Sequence, residues 1–389
     1  MDRAAVERGR GRALGLFAVA LVLAMTTWFS ASAVIPQLRD DWGLGDTGAA
    51  WLTIAVQLGF VAGALVSSVL NLADVLPPRA VLLVGATGAA AANLGILGVG
   101  SAAGAVPLRL LTGFFLAGVY PPALKLMSTW FREGRGTALG ILVGALTVGS
   151  ATPHLVNGVG GLDWQTVIVA TSALTLAGGL LAFLAVREGP YRFPGAVFDP
   201  HQARLVFANR GVRLASLGYF GHMWELYAMW AWFVVFFSAT AEGGSAAAYA
   251  TFAVIGIGGL GCWTGGVLGD RIGRPETTAG MMAVSGACAL VIGLLTGTPA
   301  WVVLLVALVW GFAVVGDSAQ FSTLVTEHAD QAYVGTALTM QLAVGFTLTV
   351  ATLWLLPLLV DAVGWRFAFA FLAPGPALGV LAMLRLRGA

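Results

Sequence analysis

The sequence predicts an all-α membrane protein with twelve transmembrane helices arranged as two parallel six-helix repeats. Of its 389 residues, 58% are hydrophobic and only 10% are charged, whereas soluble domains average about 25% charged residues. Sequence markers of the first half recur in the second half at a nearly constant spacing. The apolar segments account for nearly the whole chain, so no room remains for a soluble catalytic domain.

Each predicted span is an apolar stretch of about 20 residues or more, the length that crosses a bilayer as a helix. The spans cover approximately 13–36, 48–70, 80–101, 106–129, 136–158, 164–186, 213–239, 246–268, 276–297, 300–323, 334–360 and 364–384. Ala31-Ser32-Ala33 could form a signal-peptidase site. Cleavage there would remove the first helix of one repeat, so we expect the first span to be retained.

The arginines predict how the spans are oriented. With the N-terminus inside, sixteen arginines fall in inner segments, and three (Arg39, Arg109 and Arg366) fall outside or at the outer rim. Basic residues concentrate on the cytoplasmic side of membrane proteins. We therefore expect a multi-pass protein of the cell (inner) membrane, with both termini in the cytoplasm.

Four sequence markers recur in the same order in the two halves. Their offsets of 199, 198, 196 and 201 drift by only five residues, which indicates a duplication. The markers are Gly-Thr-Ala-Leu at 136–139 and 335–338, Gly113-Phe114 and Gly311-Phe312, Asp74 and Asp270, and Trp164 and Trp365. Six spans per unit give both copies the same orientation. We predict an N-terminal half (1–186), a cytoplasmic linker (187–212) and a C-terminal half (213–389), with a basic coil or a short surface helix near 200–210 in the linker.

The loop after the eighth predicted span carries a motif of a known family. Its residues, Gly269-Asp270-Arg271-Ile272-Gly273-Arg274, resemble the Gly-x-x-x-Asp-Arg-x-Gly-Arg loop of the major facilitator superfamily. The spans, the duplication and the long central loop extend this resemblance over the full length. It implies a transporter rather than an enzyme, and it implies that Asp270, Arg271 and Arg274 help to hold the inner gate against a helix N-terminus of the opposite half. The first copy of the loop keeps Asp74 but loses the glycines, so Asp74 could be a gate residue or could only cap a turn.

Two further segments bear on the branch of the family. Trp130-Phe131, a short basic loop and Gly-x-Ala-x-Gly at 136–140 resemble the organic-anion and nitrate branches more than the drug exporters. Drug exporters usually carry a Gly-Pro pair in the fifth span, and here other residues separate Gly149 from Pro153. Arg109 resembles an arginine that the family links to proton coupling. Its position near the outer end of its span favours simple snorkelling to the surface.

Away from the ends of the predicted spans, three charged side chains are expected to lie inside the membrane: Lys125, Glu225 and Asp317. Charge at mid-bilayer costs about 2.5–3.5 kcal/mol on insertion scales, so it usually marks a function. The three lie on the fourth, seventh and tenth spans, which in the resembling family line a central cavity. At 1.5 Å per residue, Glu225 lies at mid-bilayer, whereas Lys125, the only lysine, is about 10 Å from Arg132 and could snorkel. Asp317 could serve the site or pair with Lys125.

The surroundings of Glu225 predict proton coupling. Tyr219, His222 and Glu225 are spaced by three and share one helix face. A buried carboxyl could take up and release a proton near neutral pH, and a histidine one turn away could share it. The alternative is a polar cluster that only joins helices.

We assign proton coupling to Glu225, His222 and Asp317. The residues that we expect to bind substrate are Lys125, Tyr219, Tyr120, Trp224, Gln320 and Trp310. Four other polar residues within spans, His154, Gln57, Asn93 and Gln341, we assign to interhelical hydrogen bonds.

These features predict a secondary active transporter that imports a small organic anion with protons. Proton-driven efflux of an apolar or cationic drug, a lipid flippase on the same fold and a non-transporting receptor are alternatives. The sequence has no nucleotide-binding loop, metal-ligand cluster or nucleophile constellation, so we expect no catalytic residues, cofactor, metal or nucleic-acid partner. The expected partners are a small-molecule substrate, protons and the lipid bilayer, with the chain a monomer. We expect Cys262 and Cys288 to be small buried hydrophobes.

Overall fold

A computed structural model of the chain describes residues 3–70, 72–131, 135–160, 162–191, 207–330 and 334–387. Within these ranges the regular elements are all helices, which confirms the predicted all-α class. The first nine α-helices are α1 (Arg3–Ala24), α2 (Ile35–Trp42), α3 (Asp46–Val69), α4 (Leu72–Val75), α5 (Pro78–Leu94), α6 (Ala102–Leu116), α7 (Tyr120–Ser128), α8 (Arg135–Gly158) and α9 (Trp164–Ala185). Those that follow are α10 (Arg210–Thr240), α11 (Gly244–Gly256), α12 (Gly258–Ile272), α13 (Arg274–Val291), α14 (Ala300–Gly316), α15 (Ser318–His328), α16 (Val334–Val363), α17 (Trp365–Ala368) and α18 (Pro374–Arg387). Short 3-10 helices cover Ser32–Val34, Gly95–Gly98, Ile292–Leu295 and Phe369–Leu372.

Ten segments of the described chain are long and apolar enough to cross a membrane. They correspond to all the predicted spans except the first and the seventh. At the first, α1 ends at Ala24 and begins in an arginine-rich segment. At the seventh, the 31-residue α10 carries Glu225 among many aromatic residues. The ten segments support a multi-pass membrane protein, and the twelve-span arrangement stays a prediction.

Several spans are interrupted near their middles. The first span leaves the α-helical path after Ala24 and continues as turns to the 3-10 helix Ser32–Val34. The fourth span breaks over residues 117–119, where Pro121 and Pro122 favour a new helix start at Tyr120. The tenth span breaks at Asp317. Each break frees backbone groups that a continuous helix would bond internally, so polar partners can gather there.

Close helix crossings recur in the two halves of the sequence. At each crossing an added side chain on a glycine would overlap a carbonyl oxygen of the neighbouring helix. The contacts are Gly113 with Val56 and Gly63 with Phe114, and then Gly311 with Val254 and Gly261 with Phe312. All four residues of the first set are displaced by 198 positions in the second (56 to 254, 63 to 261, 113 to 311, 114 to 312). This recurrence supports the proposed duplication. The surface helix considered for 200–210 lies largely outside the described residues.

We predict that Gly113→Ala destabilises the protein, because the new methyl would force α3 away from α6. Overpacking of this kind costs about 1–3 kcal/mol, so the melting temperature of the purified protein in detergent should fall. Gly280→Ala in α13 is the matched control. There an added Cβ meets nothing within 4 Å, and alanine favours a helix over glycine by about 1 kcal/mol. Equal melting temperatures for the two variants would contradict this packing.

Candidate functional site

A cavity of about 800 Å³ lies at the centre of the helical bundle. The first, fourth, seventh and tenth predicted spans contribute to its wall, as expected, and so do the second, fifth and eleventh. Its lining is mainly apolar and aromatic with a few polar groups, a composition typical of small-molecule sites. The polar and titratable lining residues include Lys125, Tyr120, Tyr219, His222, Ser318 and Gln341.

The cavity opens at one end of the bundle, which we call the open end. Asp270 and Glu327 line it there, and their side chains are 40% and 48% exposed. Arg274 lies between them, with Nη2 3.0 Å from Asp270 Oδ1 and Nε 2.8 Å from Glu327 Oε1. The loop motif therefore stands at the mouth of the cavity.

An aromatic cluster closes the other end of the cavity. Ring centroids are 4.9 Å apart for Trp28 and Phe60, 4.9 Å for Phe60 and Phe346, and 5.2 Å for Tyr227 and Phe346. We call these buried residues the aromatic plug: Trp28, Phe29, Phe60, Tyr227, Trp230 and Phe346. Because they interlock across the cavity floor, the structure is open on one side and closed on the other.

The cavity is also closed along two of its flanks. Ser68 Oγ of α3 lies 3.2 Å from Thr339 Oγ1 of α16. Gly144 of α8 packs directly against the backbone of Gly259 in α12. At these two places the neighbouring helices leave no gap beside the cavity.

His222 connects the cavity to the buried carboxyl of Asp317. Its Nδ1 lies 2.8 Å from Asp317 Oδ1, and its Nε2 lies 3.0 Å from Ser318 Oγ. His222 lines the cavity, whereas Asp317 lies behind it at the helix break, 1% exposed. A solute in the cavity therefore reaches Asp317 through His222.

Glu225 is buried between helices rather than at the cavity surface. Ser285 Oγ of α13 donates to its Oε2 at 2.8 Å, and Trp310 Nε1 of α14 donates to its Oε1 at 2.6 Å. Tyr219 and His222 line the cavity but Glu225 does not. A step of three residues turns a helix by about 300°. Each residue of this series is thus rotated about 60° from the last, and by Glu225 the side chain has left the cavity face.

Three of the six residues assigned to substrate binding line the cavity: Lys125, Tyr219 and Tyr120. The other three are held elsewhere in this conformation, which corrects the assignment. Trp224 donates to the carbonyl of Phe371 at 3.2 Å, and Trp310 donates to Glu225. Gln320 accepts from Arg274 at 2.8 Å. All three side chains turn into the packing of the C-terminal part of the chain.

The gate residues do not show the expected contact between the halves. Asp270 pairs with Arg274, four residues further along the same loop, and both line the open mouth. Arg271 is exposed, and the side chain of Asp74 lies outside what the structure describes. An inner gate would bring this loop against the opposite half, so the open mouth explains the difference.

Arg109 is fully buried, so its assignment as a snorkelling residue is wrong. It donates to the carbonyl oxygens of Thr27, Trp28 and Leu52 and to the side chains of Ser30 and Asn93. Two of these carbonyls belong to the non-helical stretch that follows α1. The break in the first span thus supplies hydrogen-bond acceptors for the buried guanidinium of Arg109. The position of Arg109 in the sequence had suggested a surface location.

The weaker polar candidates divide into two groups. Asn93 forms interhelical hydrogen bonds as expected, accepting from Ser30 at 2.6 Å and donating to Ser172 at 2.9 Å. Gln57 and His154 are fully buried, and neither has a hydrogen-bond partner among the described residues. The expectation was wrong for these two. Gln341 lines the cavity, and its Nε2 likewise has no partner there.

Apolar helices that surround a central cavity, with ionisable groups buried at and behind its wall, define a multi-pass membrane transporter. The chain belongs to the Major Facilitator Superfamily, whose family model matches residues 16–351. Members of this family are transporters rather than enzymes. Cys262 and Cys288 are free and buried, as expected.

Two known proteins illustrate these similarities. The human organic anion transporter MFSD10 (TETRAN) has a similar fold, with a TM-score of 0.73 and 14% identity over 96% of this chain and 99% of that one. The puromycin resistance protein pur8 of Streptomyces alboniger is 33% identical over 162 residues, which cover 40% of this chain. The matched region spans 31% of the length of that protein.

We predict that Arg109→Leu strongly lowers the melting temperature, because it strands buried carbonyl groups at about 1–3 kcal/mol each. Arg109→Lys should recover only part of the loss, since an ammonium lacks the planar five-donor fork of arginine. Arg79→Gln, which removes an exposed arginine, is the control. If Arg109→Leu melts at the same temperature as this control, the buried network is not structural.

Proposed function

We propose that this chain is a secondary active transporter that imports a small organic anion together with protons. Two six-helix halves would alternate the access of one central site, in a monomer of the cell membrane with cytoplasmic termini. The observation that carries the proposal is the buried His222–Asp317 pair, which is reached from a cavity whose wall also holds Lys125. Such a site offers both a titratable group and a cation to one solute.

The charge of the cavity wall favours an anionic solute. The acidic lining residues at the mouth, Asp270 and Glu327, are both bonded to Arg274. In the proposed duplication, Lys125 is equivalent to Thr323, 198 residues later. Thr323 lies one helical turn further from the mouth than Glu327, so we place Lys125 at that depth. Further from the mouth, the carboxyls of Asp317 and Glu225 lie behind the cavity wall and do not line the cavity. An anion would therefore meet Lys125 and His222 before it met an unpaired carboxylate.

The floor of the cavity favours a solute with an apolar or aromatic body. Phe60, Tyr227 and Phe346 of the aromatic plug present ring faces and edges to the cavity, and aromatic solutes pack well against such surfaces. The fold neighbour MFSD10 is an organic anion transporter, which agrees with this choice of substrate class. The flanks closed at Ser68 and at Gly144 give less support to a lipid flippase, which needs a lateral opening.

Proton coupling would act through the pairing of His222 with Asp317. While Asp317 is ionised, its negative charge attracts the adjacent imidazole. Protonation of the carboxyl would remove this attraction and free His222 to turn toward the bound anion. Glu225, three residues further along α10, is bonded to α13 and α14, so a change in its protonation would alter how α10 packs on these helices.

We predict that Glu225→Gln abolishes gradient-driven accumulation but keeps substrate exchange. Glutamine can bond Ser285 and accept from Trp310, but it cannot take up a proton. The measurement uses reconstituted vesicles and labelled benzenesulfonate, a permanently charged aromatic anion. Asp361→Asn, which removes an exposed carboxyl of α16, is the matched control. Accumulation by Glu225→Gln at the level of this control would rule out the coupling role.

We predict that Lys125→Ala weakens anion binding selectively. The variant should lose affinity for benzenesulfonate and keep its affinity for benzenesulfonamide, a neutral molecule of nearly the same shape. Lys125→Arg, which retains the charge, should bind the anion better than Lys125→Ala does. Binding can be followed by the ligand-induced shift in melting temperature. An equal loss for both molecules would show that the ammonium does not recognise charge.

Export of an aromatic drug driven by protons is the second candidate. The local identity with a puromycin resistance protein favours it, as does the number of aromatic residues in the wall. The two proposals differ in direction and in substrate charge. In vesicles with an imposed proton gradient, import requires benzenesulfonate to follow the protons, whereas drug export requires puromycin to move against them.

A further inference from the structure

The cavity-facing sides of α3 and α8 continue past the aromatic plug into the closed end of the bundle. On α3 the lining residues are Phe60, Ala64, Ser67 and Ser68, and on α8 they are Leu139, Val143, Leu146 and Thr147. At 100° per residue each group occupies an arc of about 100°. Gln57 falls within the arc of α3, and Ser150 and His154 fall within the arc of α8, each displaced toward the closed end. These side chains therefore face the axis of the bundle beyond the floor of the cavity.

These side chains are buried without hydrogen-bond partners in the part of the chain that the structure describes. Neither polar atom of Gln57 is bonded, nor is either ring nitrogen of His154 or the hydroxyl of Ser150. The indole N–H groups of Trp28 and Trp230 in the plug are also unbonded. We call these five residues the outer polar set. Unbonded buried atoms also occur elsewhere in the described chain, for example at Ser216, Thr278 and Gln341. Buried polar groups are normally paired, so five such residues at or beyond the plug still require an explanation.

The helices that carry Gln57 and His154 both contact one short segment of the first span, residues 28–33. On one side Gln57 lies between Phe60, which packs on Trp28, and Thr53, whose hydroxyl is 2.7 Å from that of Ser32. On the other side His154 precedes Asn157, which donates to the carbonyl of Ala33 at 2.9 Å. Residues within about one turn of Gln57 and His154 thus contact the point where the first span is not α-helical.

We infer that the outer polar set is a second contact site for the anion, formed when the closed end opens. The set offers an amide, a hydroxyl, an imidazole and two indole N–H groups. The indoles can only donate, and each of the other groups can donate as well. Neutral donors in a water-poor site suit the anionic oxygen atoms of a carboxylate or sulfonate. In the closed state these unpaired groups destabilise the protein, because they are buried without a hydrogen-bond partner. This cost shifts the conformational equilibrium toward the state in which the groups are solvated or bound.

This inference rests on the proposed function, because it takes its ligand from the proposed substrate class. Gln57, Ser150 and His154 of this set would meet the anion on the side of the plug opposite to Lys125, whereas Trp28 and Trp230 belong to the plug and also line the open cavity. The accessibility of the outer polar set can nevertheless be tested without any substrate.

The first test measures access from the closed end. With Cys262 and Cys288 replaced by alanine, single cysteines are introduced as Gln57→Cys and Ser150→Cys in the full-length protein in cells and in inverted vesicles. A membrane-impermeant, negatively charged methanethiosulfonate should label both from the face of the closed end. The rate should exceed that of buried controls by about tenfold or more, since a buried thiol is shielded from an aqueous reagent.

The control positions lie on the same two helices, α3 and α8. Ala55→Cys and Ala145→Cys are buried positions on α3 and α8 that lie more than 90° outside the cavity-facing arcs. Ser67→Cys, which lines the cavity on α3 and is partly exposed, should be labelled from the open end. Labelling of Gln57→Cys and Ser150→Cys no faster than the two buried controls would overturn the inference.

The second test asks whether the anion makes the contact. Benzenesulfonate should slow the labelling of Ser150→Cys from the closed end by about fivefold at saturation, as expected for an occupied site, and benzenesulfonamide should not. Equal slowing by both molecules, or by neither, would overturn anion contact at this site. If labelling shows access but the wild-type protein transports no benzenesulfonate, the exposure of the outer polar set is supported and the proposed substrate class is wrong.

Discussion

Polar groups inside hydrocarbon must find their partners within the protein, and this constraint organises the centre of the molecule. Arg109 is satisfied by carbonyls that the broken first span releases, together with the side chains of Ser30 and Asn93. Asp317 occupies the break in the tenth span and pairs with His222. Interrupted helices, buried charges and the central cavity therefore occur together, because a break is what lets backbone groups act as partners at mid-membrane.

The constraint is met unequally on the two sides of the aromatic plug. On the open side the mouth carboxylates share Arg274, and Asp317 and Glu225 contact partners behind the wall, so that Gln341 Nε2 is the cavity-lining exception. On the closed side the outer polar set has none among the described residues. A ligand shifts a conformational equilibrium only by its differential affinity for the two states. Unequal satisfaction of buried groups is one physical source of such a difference in an alternating-access protein.

The sequence predicted the class of fold and the burial of Glu225 and Asp317 well, because hydropathy reports directly on which segments form buried helices. The helix face that carries Tyr219 and His222 also followed from spacing. Side-chain direction was predicted less well, because Glu225, Trp310 and Gln320 turn away from the cavity. A small error in the rotation of a side chain about its helix axis moves it from the cavity face to a neighbouring helix. Arg109 was assigned to the surface because a local break in a neighbouring helix leaves no trace in hydropathy. The closing partners of the plug, Trp28, Phe60 and Phe346, are distant in sequence and look like ordinary apolar residues of a span.

The most direct test of proton-coupled anion import is the movement of protons itself. Purified protein is reconstituted in vesicles that contain a pH indicator, and benzenesulfonate is added outside. Because this anion stays charged, it cannot carry a proton across the bilayer alone. The account predicts acidification inside that depends on both the protein and the anion. Uptake of benzenesulfonate without any change in internal pH would contradict it.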